Sequence, residues 1–81
     1  MHEFKTTGTC STMIFFDVED GKVKNVQFQG GCNGNLKGIG ALVEGQNVDE
    51  VITRLEGITC GKRSTSCPDQ LAQALKALKN A

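Results

Sequence analysis

Four cysteines, Cys10, Cys32, Cys60 and Cys67, fall in a chain of 81 residues, and none sits on the apolar stripe of a helix-forming segment. Their neighbours are Gly, Ser, Thr, Asn, Lys and Arg, whereas a cysteine that serves only packing keeps apolar company. The rest of the composition makes these thiols matter more. A chain this short buries only about 60% of the surface its unfolded form exposes. Here the apolar content is 38%, with four Phe and no Trp or Tyr. So thin a core calls for a staple. The first residues, Met1-His2-Glu3-Phe4-Lys5, lack the charged and apolar regions of a secretory signal, so the expected compartment is the cytoplasm. Thiols stay reduced there, and the expected staple is a metal rather than a disulfide framework.

Composition also excludes several functions. Nine basic residues balance nine acidic ones, so there is no electrostatic footprint for nucleic acid or an anionic membrane. No apolar run approaches the roughly 20 residues that span a bilayer. The length admits one domain, residues 1–81, and excludes a catalytic barrel or a large nucleotide-binding sheet. Within that domain there is no internal His and no obvious pair of carboxylates for acid–base chemistry. The segments Gly30-Gly31 and Gly38-x-Gly40 lack the βαβ setting of a phosphate-binding fingerprint.

Periodicity predicts a strand over residues 11–18, a turn at Glu19-Asp20-Gly21-Lys22 and a return strand over 23–29. Both faces of the first strand are apolar at Met13-Ile14-Phe15-Phe16, which suggests a well-covered strand. Val26 and Phe28 share one face of the second, opposite Gln27 and Gln29. Phe4 to Thr7 is a candidate edge strand. Leu36, Ile39, Leu42 and Val43 predict a helix near 34–44. Gly38 and Gly40 within it point to close backbone approach, with tight helix–sheet packing the favoured cause. Asn47 predicts an N-cap with Glu50 three positions on, followed by the stripe Val48, Val51, Ile52 and Leu55 and a stop at Gly57. A last helix begins at Cys67-Pro68 and carries Leu71, Leu75 and Leu78. Asp69 at its start and Lys76 and Lys79 near its end suit the helix dipole. The expected fold is α+β: a small antiparallel sheet of two or three strands, then three helices packed on it.

The cysteine spacing is not that of a zinc finger. The gaps are 21, 27 and 6 residues, with no C-x₂-C pair. Convergence is nevertheless expected, because Cys10 and Cys32 bracket a hairpin and so lie at one end of the sheet. The loop from Ile58 to Ser66 is the segment that brings Cys60 to Cys67. Helix starts present unpaired N–H groups that favour thiolate, the metal-binding form. Lys37, Lys62 and Arg63 are cations near the thiols. The residues therefore leave open a metal site, a redox dithiol, or free structural thiols, and the metal site is favoured, with zinc as the expected ion. His2 is a weak candidate for a fifth ligand.

The run Thr65-Ser66-Cys67-Pro68-Asp69 spells the motif of the TSCPD domain family, and the chain resembles that family over most of its length. The resemblance takes in Gly30-Gly31-Cys32-Asn33-Gly34-Asn35, Val43-Glu44-Gly45 and Cys60-Gly61. It is to the small stand-alone form with four cysteines. Related domains form the C-terminal part of ribonucleoside-diphosphate reductase large chains, so the resemblance implies an accessory role in ribonucleotide reduction, with such a reductase as partner. It does not imply an enzyme by itself, since the barrel, radical site and nucleotide site are missing. A second resemblance is to iron–sulfur scaffold proteins of the IscU and NifU type, in which Cys10, Cys32 and Cys67 match the positions of three cysteines. Thr12 and Ser66 stand where that family has Asp and His, and Cys60 is additional. This resemblance implies an iron–sulfur cluster as the alternative cofactor. The working expectation is a non-enzymatic Cys₄ zinc domain with ligands Cys10, Cys32, Cys60 and Cys67. The alternatives are a cluster scaffold and a dithiol carrier, and the thin core leaves room for a homodimer.

Overall fold

Local chemistry accounts for most of the path of the chain in the computed structural model, which describes residues 1–31 and 33–80. Strands β2 (Ser11–Glu19) and β3 (Lys22–Gly30) form the expected antiparallel hairpin. Asp20 and Gly21 make its two-residue turn, with φ of 52° and 75°; this turn needs positive φ at both positions, which Gly adopts freely and Asp tolerates. Strand β1 (His2–Lys5) pairs with β2 and makes the sheet order β1-β2-β3. It begins and ends two residues before the expected edge strand, ending at Lys5 because Thr6 belongs to the turn that follows. There the Thr6 hydroxyl donates to the Ser11 carbonyl at 2.5 Å and its N–H donates to the Thr12 carbonyl at 3.3 Å.

Helices α1 (Asn33–Val43), α2 (Val48–Leu55) and α3 (Cys67–Lys79) follow. The order is the expected α+β arrangement of a three-stranded sheet and three helices. Asn47 caps α2, its Oδ1 accepting the Asp49 N–H at 2.9 Å. Glu50 pairs with Arg54 at 2.9 Å instead of closing a capping box. Gly57, with φ 82°, follows the end of α2 in the left-handed conformation that terminates many helices.

Two bulges set which side chains face the helices. Between Phe15 and Asp17 the pairing skips from Gln27 to Lys24, leaving one extra residue on β3. Asn25 is in the left-handed region there (φ 55°), and its N–H donates to the Glu44 carboxylate at 2.9 Å. Strict alternation would put Val23 and Val26 on opposite faces. The extra residue lets both pack on the core, which is what a bulge does to side-chain parity. A second shift lies between Ser11 and Met13. It turns Ser11 inward, 3% exposed, and leaves Thr12 outside.

The core joins Ile14, Phe16 and Val23 of the sheet to Val43, Val51, Ile52, Leu71, Ala74 and Leu75 of the helices. Val26, Phe28, Ile39, Leu55 and Leu78 are partly buried against it, with Gln27 and Gln29 exposed as the register required. Replacing Leu71 or Leu75, both fully buried, by Ala would cost about 2–5 kcal/mol. Coverage of β2 is less even than its sequence suggests. Ile14 and Phe16 are buried, but Met13 and Phe15 on the other face are only half-buried. Leu42 is also exposed, since the buried positions of α1 are Leu36, Gly40 and Val43. That i, i+4, i+7 stripe leaves Leu42 well off its axis. Among the described residues, no helix is long and apolar enough to cross a membrane.

Candidate functional site

One end of the sheet, the loop after α2 and the start of α3 meet at an open pocket of about 290 Å³. Cys10, Cys60 and Cys67 all line it, each from a different segment. Leu36, Ile39, Ile58 and Pro68 supply an apolar wall, and Arg63 is the one cation of the lining. Cys10 and Cys60 are exposed and Cys67 is half-buried. Cys32, the remaining expected ligand, lies outside the described residues. Among the described residues, no three His, Cys, Asp or Glu side chains are arranged as a ready-made ion-binding group. The donor chemistry suits a thiophilic metal, since three soft sulfur donors share one pocket.

Each of the three cysteines among the described residues is held by identifiable chemistry. Cys10 rides on a turn shaped by threonines: the hydroxyls of Thr6 and Thr9 both donate to the Ser11 carbonyl, at 2.5 and 3.1 Å. Cys60 sits in a closed loop. Its N–H donates to the Thr65 carbonyl at 3.2 Å, and its carbonyl accepts the Arg63 N–H at 3.0 Å. Cys67 is the first residue of α3, and Ser66 is the N-cap, whose side chain accepts the Asp69 N–H at 3.2 Å. The Cys67 thiol and the Ser11 hydroxyl share a hydrogen bond of 3.1 Å, joining the sheet end to the helix start.

The glycine pair ahead of Cys32 has a steric cause. Gly30 and Gly31 have φ of 82° and 78°. A Cβ on Gly31 would stand 2.9 Å from the Leu36 side chain and 3.2 Å from the Ser11 backbone nitrogen. The backbone leading to Cys32 therefore runs against Cys10 and Ser11, as bracketing by the hairpin requires.

The cations divide. Arg63 lines the pocket, and its guanidinium donates to the Gly8 carbonyl at 3.4 Å. Lys62 is exposed, and Lys37 faces a different recess, beside Val26 and Phe28. His2 does not line the pocket. It lies at the far end of β1 from Lys5, its ring 5.4 Å from that of Phe16.

Sequence reasoning passed over the polar residues beneath the thiols. Asp69 reads in the sequence as a helix-dipole partner, yet it is 7% exposed. Its carboxylate accepts the Gly57 N–H at 2.7 Å and the Thr65 hydroxyl at 2.5 Å. The Thr65 hydroxyl is the largest cause holding its carboxyl below the usual range. The Gly57 amide, Gln73 and the charge of Lys76 act in the same direction, against desolvation. The signal that was available is the S-x-x-D spacing of Ser66 and Asp69, a capping-box pattern with Asp in place of Glu.

The family model of the TSCPD domain matches residues 2–79. No curated protein and no solved structure matches the chain.

Proposed function

Because the chain belongs to the TSCPD domain family, we propose that it is a small metal-binding domain whose site is built from cysteine thiolates at the junction of sheet, loop and α3. Cys10, Cys60 and Cys67 would hold the ion, with Cys32 as the fourth ligand and zinc as the metal. The observation that supports this reading is the convergence of three cysteines, from three separate segments, on one pocket. A closed set of four thiolates is a structural zinc arrangement, in which the ion contributes folding free energy and no position stays open for a substrate. The metal would supply cross-linking of three segments that the thin core leaves weakly joined. Arg63, the cation of the lining, would offset part of the negative charge of the thiolates. The domain acts in this reading as an accessory module, and a ribonucleotide reductase is the partner to test first.

Purification without oxygen, followed by metal analysis and an absorption spectrum, tests the proposal. A colourless protein with about one zinc per chain is the expected result. A brown protein with charge-transfer absorption would replace zinc by an iron–sulfur cluster. Absence of both metals, with the chain still folded, would refute metal binding and leave a dithiol carrier.

A further inference from the structure

The polar residues under the pocket form one continuous network, and each link ends on a segment that carries a cysteine. Asp69 accepts from Gly57, at the start of the loop that holds Cys60, and from Thr65, at its end. Ser66 donates its hydroxyl to the Ile58 carbonyl in the same loop at 2.6 Å. Gln70, 8% exposed, donates from Nε2 to the Thr65 hydroxyl oxygen at 3.0 Å, while its Oε1 accepts the Thr7 N–H at 3.2 Å. Thr7 belongs to the turn that carries Cys10. The Thr65 hydroxyl is thus the hub: it donates to Asp69 and accepts from Gln70. Among the described residues, no buried side-chain polar atom of this network, or elsewhere, lacks a partner. A satisfied network with little exposure is rigid, because a shift that breaks its hydrogen bonds leaves polar groups poorly solvated.

We infer that Thr65, Asp69 and Gln70 are positioning residues, which set the spacing of Cys10, Cys60 and Cys67 by clamping the Cys60 loop and the Cys10 turn onto the start of α3. The inference deepens the proposed metal site and rests on the same pocket, but it concerns thiol spacing and so has a readout that needs no metal. Four of the five residues of Thr65-Ser66-Cys67-Pro68-Asp69 then serve the fifth. Thr65 and Asp69 clamp, Ser66 caps, Pro68 pre-sets the first helical turn, and Cys67 is left facing the pocket.

The test uses the whole chain, reduced and metal-free, with two probes. Cobalt(II) reports affinity of the thiol site through its sulfur charge-transfer bands. Phenylarsine oxide condenses with two neighbouring thiols, forming two As–S bonds and releasing one water, so it reports spacing without a metal. The variants are Asp69→Asn and Thr65→Val, with Thr65→Ser as the conservative rescue and Ile52→Val as a core variant outside the pocket. All are compared at a temperature where each is folded. Outer partners of metal ligands typically change affinity by about 10–100-fold. That loss is expected for cobalt in Asp69→Asn and Thr65→Val, together with weaker arsenical capture. Thr65→Ser should bind as the wild type does, and Ile52→Val should lose stability without losing affinity. Should Asp69→Asn fail to fold, Thr65→Val carries the comparison. If the wild type binds cobalt and Thr65→Val binds it equally well, the positioning role is overturned and the metal site stands. If the wild type takes the arsenical but no cobalt, and the variants lose that capture, positioning stands and metal binding falls. Equal arsenical capture by all variants, or capture of neither probe by the wild type, overturns positioning.

Discussion

Gly38 and Gly40 sit two positions apart on one helix, and the structure gives them opposite fates on substitution by Ala. Interior helical Gly costs about 1 kcal/mol against Ala, so each substitution starts with a gain of that size. At Gly38 a Cβ would meet nothing within 4 Å, so the gain should survive. Gly38→Ala is expected to stabilise the chain by about 0.5–1 kcal/mol, or roughly 4–8 °C in Tm per kcal/mol for a domain of this size. At Gly40 a Cβ would lie 3.0 Å from the Val26 carbonyl oxygen. The neighbour is backbone and the Cβ is fixed by the helix backbone that carries it, so relief requires α1 to move off β3 by a few tenths of an ångström. Overpacking of that kind costs about 1–3 kcal/mol. Subtracting the helix gain leaves Gly40→Ala neutral to destabilising by about 2 kcal/mol. The two variants should therefore differ by about 1–3 kcal/mol, and urea unfolding followed by circular dichroism resolves that difference. Equal stability of the two, or a more stable Gly40→Ala, would refute the claim that α1 is seated on the strand by the absence of a side chain at residue 40.

Asn47→Ala removes the cap of α2 and should cost about 1 kcal/mol, read as a lower urea midpoint with an unchanged slope. The carboxyl of Asp69 titrates below the usual range in the folded chain. Its stabilising contribution is therefore complete above the unfolded value of about 3.9 and is lost as pH falls through the folded value. Asp69→Asn should make the acid limb of the stability profile shallower than in the wild type, and an unchanged limb would refute the buried network. Asp17, lowered first by its hydrogen bond with Asn25, should retain part of that limb. Cys67→Ser should lower the Tm sharply in the metal-loaded chain and little after chelation, because bound metal is linked to folding. His2→Ala should change neither.

The hairpin, the three helices and most of the core were legible because their causes are local. The Asp20-Gly21 turn, the Asn47 cap and the leucine stripe of α3 each announce themselves within a few residues. The candidate site was legible only in part. The bracketing of the hairpin by Cys10 and Cys32 and the loop before Cys67 indicated where thiols should gather, and Cys10, Cys60 and Cys67 do line one pocket. The supporting network was not legible, because Asp69 reads in the sequence only as a helix-dipole partner and nothing local marks Thr65 or Gln70 as joined to it. Gln70 and its partner Thr7 are 63 residues apart, and no local pattern encodes such a pair.

What the sequence determined by itself is the set of elements and the face each one buries, since side-chain periodicity and backbone preferences act over one or two turns. Where alternation fails, tertiary structure decided. The extra residue at Asn25 brings both Val23 and Val26 to the core, and the shift at Thr12 turns Ser11 inward to the Cys67 sulfur. A bulge leaves a residue unpaired and disrupts the ladder locally, so it persists where the packing above it favours the changed side-chain parity. The helices over the sheet, rather than the strand sequence alone, therefore chose which polar side chain would meet the thiol.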